Sequence, residues 1–484
     1  MPDFAFSSIR EIHQAYMEKR LTVRELVLTY LKRIAKFDHC TGGLDSVLEL
    51  SPDALFIADS LDAQLQNGAG LTPLFGIPIL LKDNINTADR LHTSAGSVAL
   101  QDNYAPYDAH IVKLLREAGA VILGKANMTE FANYMSREGM PSGYSSRGGQ
   151  VINPYNRLKT PSGSSSGSAV AVAAGLCTVA VGTETAGSIM SPAGHNGIVG
   201  IKPTMGLVGR SGIVPISSTH DTAGPMARTV ADAAILLTVL AGEDPADPAT
   251  QAIPASVDHA TAIEKQGPAL HGVRIGINRT RTYVDPVAPE EERVIFDRLL
   301  AALSAAGAEL IDHVDVEATP IIRKIMIGEF KACMNYYLST LGEKSKMKTL
   351  RDIIEYNQAH PSIALKYGQS ILLDAQNETS GNMTEPEYIE ALAERDKAIA
   401  ALDKLFDDNK IDVMLCEAHT NIAPFTGFPC MTIPIGQKQD NMPMSSYWMA
   451  RRFDEARLLR IVHAAEQGLG IKLRPELTCD AEKV

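Results

Sequence analysis

The stretch "TPSGSSSGSAVAVAAG" (160–175) joins two compositions that favour different structures. Its first half is rich in glycine and serine, as flexible linkers are. Its second half is small and apolar, which is typical of a helix that packs closely against its neighbours. Within it, residues 163–167 match the G-x-S-x-G pattern of a nucleophile elbow, in which Ser165 would be the nucleophile. The role of this stretch therefore depends on what surrounds it.

Three interpretations of the stretch find weak support in the flanking sequence. A linker is expected between domains, but helix-like and strand-like segments flank it closely. A phosphate-binding loop requires a Walker pattern or a spaced G-x-G-x-x-G, and neither is present. A hydrolase elbow requires a strand just before the serine, yet residues 151–160 contain no β-branched run. Because an elbow also needs a downstream histidine, and His195, His220 and His463 are available, that alternative stays open.

The segments around the stretch alternate between helix-like and strand-like patterns. The sequence "DAHIVKLLREAGAVILGKAN" (108–127) reads as a helix, a strand and a turn. Residues 168–182, 198–203 and 230–241 repeat this alternation, and further strand-like runs extend to residue 437. Since no clean linker interrupts these signals, we predict an α/β fold in one large domain spanning 1–484, with an N-terminal helical segment at 7–65.

The composition argues against several classes of protein. A net charge of −12 is unlike the basic surface of a nucleic-acid-binding protein, so we expect no nucleic-acid partner. No run of about 18 apolar residues occurs, so we expect no membrane span. The first residues lack a basic segment followed by an apolar one, so we expect no secretory signal.

The six cysteines are scattered and include no C-x-x-C pair. They are Cys40, Cys177, Cys333, Cys416, Cys430 and Cys479. Such spacing favours reduced thiols over a disulfide framework or a zinc site. We therefore predict a cytoplasmic protein.

A small-residue turn after the stretch has the features of an oxyanion hole. The sequence "GTETAGSIMSPAG" (182–194) follows the apolar run "TVAV" and presents Thr185, Ala186, Gly187 and Ser188 in succession. Consecutive backbone N–H groups in such a turn can converge on one oxygen, and small side chains allow a carbonyl to approach. Ser188, at the end of the turn, would be a reachable nucleophile.

A serine nucleophile needs a base, and the sequence "GIPILLKDN" (76–84) offers one. Lys82 ends an apolar run, and burial lowers the pKa of a lysine because it disfavours the charged form. A neutral Lys82 would accept a proton. The neighbouring Asp83 would raise that pKa if it pointed inwards, so we expect it to point away.

Together, the segments 76–84, 160–175 and 182–208 resemble the signature of the amidase signature family of serine hydrolases. The resemblance runs from about residue 72 to 240, which we take as the signature core. Weaker similarity follows in "DTAGPMARTVADAA" (221–234), "TGFPCMTIPIG" (426–436) and "RRFDEARLLRIVHAAEQ" (451–467). The two motif serines, Ser164 and Ser188, stand in the family's order and spacing.

The resemblance implies a fold, a mechanism and a set of catalytic residues. The fold would be a mixed central β-sheet covered by helices on both faces. Lys82 would be the base, Ser164 the bridging serine that follows a glycine across a cis peptide, and Ser188 the acylated nucleophile. The backbone amides of the turn would form the oxyanion hole: Thr185, Ala186, Gly187 and Ser188. This chemistry requires no metal or organic cofactor.

At some positions this sequence differs from the residues most common in the family's motifs. Ser162 and Ser166 interrupt the usual paired glycines, and Ala186 stands where many members have glycine. Met190 stands where many members have arginine, so we expect no substrate that needs a cation at this position. Asp221 and Arg228 are expected to brace the site through buried polar pairing.

The sequences "GKANMTEFANYMS" (124–136) and "GTET" (182–185) resemble those of the bacterial peptide amidase branch of the family. Members of that branch remove the C-terminal carboxamide of peptides. In that branch the loop 127–136 would line the substrate channel, with Ala132 near the bound carbonyl. A plain helix-capping turn is the alternative for this loop.

We therefore expect an amidase that cleaves a peptide, aryl or alkyl carboxamide to acid and ammonia, working as a monomer or homodimer. The alternative is the glutaminase-type subunit of a tRNA-dependent amidotransferase complex.

Overall fold

The computed structural model describes residues 4–254, 258–264, 269–281, 287–316 and 321–478. Within these ranges, eleven strands form one mixed sheet and two short strands form a hairpin. In chain order the strands are β1 (Val47–Leu50), β2 (Pro78–Lys82), β3 (Val121–Ala126), the hairpin strands β4 (Tyr144–Ser145) and β5 (Gly149–Gln150), β6 (Val179–Glu184), β7 (Val199–Lys202), β8 (Thr222–Ala227), β9 (Arg274–Asn278), β10 (Glu309–Ile311), β11 (Val413–Cys416), β12 (Cys430–Gln437) and β13 (Pro443–Met449).

Helices flank this sheet along the described chain. They are α1 (Ile9–Met17), α2 (Val23–Phe37), α3 (Ala54–Gln66), α4 (His110–Glu117), α5 (Ser166–Ala173), α6 (Met190–His195), α7 (Val230–Leu240), α8 (His259–Glu264), α9 (Glu290–Ala305), α10 (Ile322–Thr340), α11 (Leu350–Ala359), α12 (Pro361–Ala364), α13 (Ser370–Glu378), α14 (Pro386–Asn409), α15 (Ile422–Thr426) and α16 (Glu455–Leu469).

The strand order along the sheet is β1-β3-β2-β6-β8-β7-β12-β13-β11-β9-β10. β2 pairs in parallel with β3 and β6, and β9 pairs in parallel with β10 and β11, while the other pairs are antiparallel. The sheet is therefore mixed, and the predicted single α/β domain with a mixed central sheet flanked by helices is confirmed.

The parallel pairing of β2 with β6 brings two chain segments to one edge of the sheet. Ile79 lies beside Val179 and Leu81 beside Val181, so Lys82 at the end of β2 and the last residues of β6 lie at the same edge of the sheet. Carboxyl ends of neighbouring parallel strands are common places for functional side chains. The candidate site is built at this edge.

The apolar half of the opening stretch forms α5, as its composition predicts. All eight residues of this helix are buried. A Cβ added at Gly167 would lie 2.3 Å from both the Asn127 and Ser46 carbonyl oxygens. Close approach to the chain around β1 and β3 therefore requires glycine at this position, and the small residues of α5 permit that packing.

A second apolar cluster joins the helices α10, α11, α13 and α14 to the loops near residues 95–100 and 128–135. Ala132 and Ala186 pack against it. The edge of the sheet that carries Lys82 therefore faces a layer of helices, with the turn after β6 between them.

Two strands differ from the expectations drawn from the sequence. The segment 7–65, predicted as helical, contains β1, which pairs with β3 at the edge of the sheet. β13, which the sequence does not signal, lies between β12 and β11. Its sequence "PMSSYWM" begins with a proline and contains two serines, so it lacks the β-branched run by which a buried strand is recognised.

The prediction of reduced thiols is wrong at one position. Cys40 is disulfide-bonded, whereas Cys177, Cys333, Cys416 and Cys430 are free thiols. Cys479 lies outside the described residues. Among the residues that the structure describes, no helix is both long enough and apolar enough to cross a membrane.

Candidate active site

Lys82 is fully buried at the end of β2 and contacts one serine and one threonine. Its Nζ lies 2.7 Å from Ser164 Oγ, 2.9 Å from Thr183 Oγ1 and 3.1 Å from the Thr183 carbonyl oxygen. Burial lowers the pKa of Lys82 to about 7, while the carboxylates of Glu184 and Asp221 act in the opposite direction. A substantial fraction of Lys82 is thus neutral near neutral pH.

The hydrogen bonds around Lys82 direct its lone pair when the amine is neutral. The Thr183 carbonyl can only accept, so one N–H of Lys82 is directed to it. Thr183 Oγ1 already accepts from Asn84 Nδ2 at 3.0 Å and accepts a second N–H from Lys82. Because these two bonds use both N–H groups of a neutral amine, the lone pair is left facing Ser164 Oγ. Lys82 is therefore arranged to take a proton from Ser164.

Asp83 points away from Lys82, as expected. Its Oδ2 accepts hydrogen bonds from the Gly96 backbone N–H at 2.9 Å and from the Ser94 hydroxyl, and Arg147 lies 3.7 Å from its Oδ1. The two neighbouring side chains thus belong to separate polar networks.

Ser164 is buried beside Lys82 and follows a cis peptide bond with Gly163, the geometry that the resemblance implies. Its carbonyl oxygen accepts from the Thr129 backbone N–H at 3.1 Å. A Cβ at Gly163 would lie 2.4 Å from Thr129 Oγ1, so a larger residue does not fit there. The site requires glycine before Ser164 for this steric reason.

Ser165, the serine of the elbow hypothesis, is occupied with the backbone. Its hydroxyl donates to the Thr183 carbonyl at 3.1 Å and accepts from the Thr183 backbone N–H at 3.2 Å. The side chain is fully buried, and residues 151–163 form no strand before it. Ser165 therefore joins α5 to β6, and the nucleophile-elbow alternative is wrong.

The turn between β6 and α6 is held at both ends. Glu184 Oε2 accepts from the backbone N–H groups of Ile189 at 2.7 Å and Met190 at 3.0 Å. The Ser188 carbonyl oxygen accepts from the Ser165 backbone N–H at 3.1 Å. Strand, turn and α5 are thus fixed relative to one another around Ser188.

The hydroxyl of Ser188 makes no hydrogen bond to any residue in the described part of the chain, and the residue is 8% exposed. Gly187 before it has φ of 88°, a conformation that favours glycine. A Cβ at Gly187 would also lie 3.0 Å from Cε1 of His419. The conformation of the turn therefore depends on Gly187, and Ser188 can reach an incoming group.

A cavity of about 660 Å³ adjoins this edge of the sheet. Asn84, Ala132, Thr183 and Thr185 line it on the side of the turn, and Tyr336, which is 72% exposed, lines its mouth. Ala186, Gly187 and Ser188 lie next to these residues but are outside the lining. The cavity thus leads from the surface to the Lys82 edge of the sheet, and its volume suits a small organic or peptide group.

The loop 127–136 contributes Ala132 to the cavity. Residues 131–133 have φ values of 45°, 54° and 67°, three consecutive left-handed conformations. Such a run does not cap a regular helix, so the helix-capping alternative is wrong. The loop instead folds back so that Ala132 forms part of the cavity wall.

Asp221 and Arg228, which were expected to brace the site through buried polar pairing, each have polar partners of their own. Asp221 accepts from the Thr185 hydroxyl at 2.5 Å. Arg228 donates to the carbonyl oxygens of Cys177 at 3.0 Å and Val172 at 3.2 Å. Asp221 belongs to the candidate site, whereas Arg228 holds the end of α5.

Thr183 and Asn84 were not singled out from the sequence. Both orient the amine of Lys82. What identifies them is their position, because each lies within two residues of the end of a strand in the β2–β6 parallel pair. Parallel pairing cannot be read from one sequence, which is why these residues were missed.

Comparison with known proteins places the chain in a family. Residues 25–459 match the profile of the Amidase family. A probable amidase of Arabidopsis thaliana is 37% identical over 97% of this chain and 91% of its own length. The chain belongs to the amidase signature family, and it is an amide-hydrolysing enzyme.

Two further relatives bear different names, one a peptide amidase and the other a subunit of an amidotransferase. The native peptide amidase from Stenotrophomonas maltophilia has a TM-score of 0.89 at 38% identity, covering 98% of this chain and 99% of that one. One subunit of the glutamyl-tRNA(Gln) amidotransferase of Koribacter versatilis is 32% identical over 94% of this chain and 97% of its own length. The predicted similarity to bacterial peptide amidase is confirmed.

Proposed function

We propose that the chain is a free-standing amidase that removes the C-terminal carboxamide of peptides through an acyl-enzyme on Ser188. The observation that carries the proposal is the 2.7 Å contact between Ser164 Oγ and a buried Lys82 whose pKa is about 7. A buried base held against Ser164, next to a residue whose backbone N–H binds the Ser188 carbonyl oxygen, is an arrangement suited to nucleophilic catalysis.

Acylation begins with proton transfer along the two serines. Neutral Lys82 takes the proton of Ser164, which takes the proton of Ser188 as its Oγ attacks the amide carbonyl carbon. The C=O π electrons move to oxygen, and the resulting oxyanion accepts hydrogen bonds from the backbone amides of the turn, Thr185, Ala186, Gly187 and Ser188. Preorganised donors of this kind stabilise such an oxyanion strongly.

Collapse of the tetrahedral intermediate breaks the C–N bond. The proton held by Lys82 returns through Ser164 to the departing nitrogen, so the leaving group is ammonia and an ester to Ser188 remains. Water then attacks the ester carbonyl, and the same residues remove a proton from water and return one to Ser188. The products are the carboxylic acid and a regenerated enzyme.

The cavity supports a peptide as the acyl group. Its wall includes Ala132 from the loop 127–136 and a long segment from Arg210 to Ser218, which together can contact an extended chain. Met190 is buried in an apolar cluster with Phe428 and Met449, so this position offers no cation to an acidic substrate. The similarity to a peptide amidase favours the same substrate class.

The test is a panel of amides measured by ammonia release. Peptide amides, aryl amides, alkyl amides and glutamine are compared for the wild type and for Ser188→Ala. We expect the highest kcat/KM for peptide amides, and a loss of kcat of at least about 10³-fold in the variant. Undiminished turnover by Ser188→Ala would contradict the assignment of the nucleophile, and a preference for glutamine would contradict the substrate class.

The second candidate is a glutaminase-type component of an amidotransferase, favoured by the 32% identity to such a protein over nearly the whole chain. A protein of that kind acts with partner subunits, whereas we propose a monomer or homodimer. Size exclusion of the purified chain, alone and after incubation with host lysate, separates the two. Amidase activity in the lone chain supports our proposal, and glutaminase activity seen only in a complex supports the alternative.

We also propose a cytoplasmic location, as the scattered free thiols indicate. The disulfide at Cys40 weighs against it, because disulfides are rare in reducing compartments. Fractionation of the native host tests the location: recovery of the protein in the cytoplasmic fraction supports it, and recovery only outside that fraction contradicts it.

A further inference from the structure

Asp221 connects the turn after β6 to one wall of the cavity. Its Oδ1 accepts from the Thr185 hydroxyl at 2.5 Å. Its Oδ2 accepts from the backbone N–H groups of Ile216 at 2.7 Å and Ser217 at 2.9 Å. One carboxylate thus binds three donors from two segments that are far apart in the sequence.

The segment that Asp221 holds runs from residue 210 to 221, between β7 and β8, and we call it the wall loop. Most of its residues line the cavity. Its other end is fixed by the ion pair of Arg210 with Asp247 at 2.7 Å, and its middle by the Val214 backbone N–H, which donates to the Asn84 carbonyl at 2.8 Å. The wall loop is therefore attached both to the β2 end and to the turn.

A second carboxylate attaches the same loop to the helical layer. Glu329 on α10 accepts from the Thr219 backbone N–H at 3.0 Å and from the hydroxyls of Ser217 and Thr219. Ser217 thus lies between two carboxylates, one on each side. Of the two, Asp221 is the one that reaches the turn.

Several charged and titratable groups surround Asp221. Burial at the cavity wall raises its pKa to about 6, and its three donors and Arg210 act to lower it. The negative charge of Asp221 acts to raise the pKa of Lys82 on β2 and of the Cys333 thiol on α10. Glu184 on β6 is the other carboxylate whose charge acts on Lys82. Ionised Asp221 therefore raises the pKa of Lys82.

We propose that Asp221 is a positioning residue for amide hydrolysis: through Thr185 it orients the backbone donors of the turn toward the oxyanion. The inference rests on the proposed function, since it needs those donors to bind the oxyanion. The Thr185 hydroxyl is directed to Asp221, so the side chain is fixed and the backbone N–H of the same residue is held in one orientation. Asp221 does not itself touch the reacting atoms.

Loss of the charge has two separable consequences. Without a carboxylate the turn loses one anchor, so the oxyanion is bound less well in the transition state and kcat falls. The pKa of Lys82 also falls, because an anion that favoured its protonated form is gone. The acid limb of the pH–rate profile therefore moves to lower pH even as the rate decreases. A residue with a purely structural role would not move that limb.

The experiment compares Asp221→Asn, Thr185→Val and Thr185→Ser on a peptide amide, with full pH profiles and thermal unfolding of each. We expect Asp221→Asn to lower kcat by roughly 10- to 100-fold with KM within about threefold, and to shift the acid limb downward. Thr185→Val should lower kcat to a similar extent with the limb unmoved. Thr185→Ser keeps the hydroxyl and should stay near the wild type. In the double variant Asp221→Asn/Thr185→Val, the loss of kcat should be smaller than the combined losses of the two single variants, since the two residues act as one unit.

Three results would overturn the inference: a wild-type kcat and pH profile in Asp221→Asn, a rise in KM alone, or equal activity of Thr185→Val and Thr185→Ser. The last comparison holds even if Asp221→Asn fails to fold. Ser188→Ala is run alongside. If it is inactive while Asp221→Asn behaves as the wild type, this inference fails and the proposed function stands; if it is active, the proposed function itself fails.

Discussion

The neutral amine of Lys82 donates two hydrogen bonds and accepts one, and the neighbouring residues determine which is which. Two of its three contacts are with Thr183, whose carbonyl and hydroxyl take its N–H groups. The third is with Ser164. A buried lysine without such partners would also be neutral, but its lone pair would have no defined direction. Burial sets the protonation state, and the hydrogen bonds set the direction of proton transfer.

The pH dependence of the reaction should follow this lysine. Below its pKa of about 7, Lys82 carries a third proton and has no lone pair for Ser164. We expect kcat/KM to rise with pH through about 7 and then to level off, because the base becomes neutral as pH increases. A pH–rate profile of the wild type measures this. A rate that is constant from about pH 5 upward would contradict the role of Lys82 as base.

The two adjacent serines should differ sharply in their effect on activity. Ser164→Ala removes the proton bridge, and we expect a loss of about 10²- to 10⁴-fold in kcat. Ser165→Ala removes only two hydrogen bonds to the backbone of Thr183, and we expect less than about a tenfold loss. Steady-state kinetics of both variants, with circular dichroism as a check of folding, provide the comparison. Equal losses would mean that the two roles have been misassigned.

How far the sequence alone identifies these residues varies from one to the next. Lys82 is recognised because it ends an apolar run, and Ser188 because it ends a turn of small residues. Ser164 is identified only through the family resemblance, since residues 162–168 are all glycine or serine. Thr183 and Asn84 become visible only when β2 and β6 are paired, because their contribution is a contact between distant segments.

At the scale of elements, α5 shows how composition and packing are linked. Its composition predicts the helix and its close packing, but not the partner. The partner is the chain around β1 and β3, and β1 is a strand that the helical pattern of residues 7–65 conceals. A short strand at a sheet edge has few residues from which to recognise it, so pairing rather than pattern defines it.

Two helical glycines provide a matched test of this packing. Gly167→Ala in α5 would place a Cβ 2.3 Å from two carbonyl oxygens, and we expect a loss of about 2–4 kcal/mol in the free energy of unfolding. Gly468→Ala in α16 meets nothing within 4 Å and should be neutral or stabilising by up to about 1 kcal/mol. Denaturant unfolding of both variants measures the difference. A Gly167→Ala protein as stable as the wild type would show that α5 packs less closely than described.

At the scale of the whole molecule, the sheet brings together segments from most of the chain. The β2–β6 pair supplies the catalytic edge, α10 and the loop 127–136 enclose the cavity, and the wall loop lies between them. The alternation of helices and strands predicts one α/β domain, but the order of eleven strands is a property of long-range pairing. The domain boundaries themselves, with a signature core at 72–240, stay a prediction.

A self-contained site predicts a self-contained enzyme. Lys82, Ser164, Ser188 and the cavity all come from this chain, so the purified protein should release ammonia from a peptide amide without a partner. Sedimentation at several concentrations, with activity assayed in each fraction, tests this. Activity that appears only after other proteins are added would contradict it.

The most direct measurement is the position of the covalent adduct. The wild type is treated with a serine-directed fluorophosphonate, and the modified peptide is located by tandem mass spectrometry. We predict one adduct per chain, on Ser188, formed together with complete loss of ammonia release and prevented by prior addition of a peptide amide. An adduct on Ser164 or Ser165, or full inactivation with Ser188 unmodified, would contradict the assignment of Ser188 as the nucleophile.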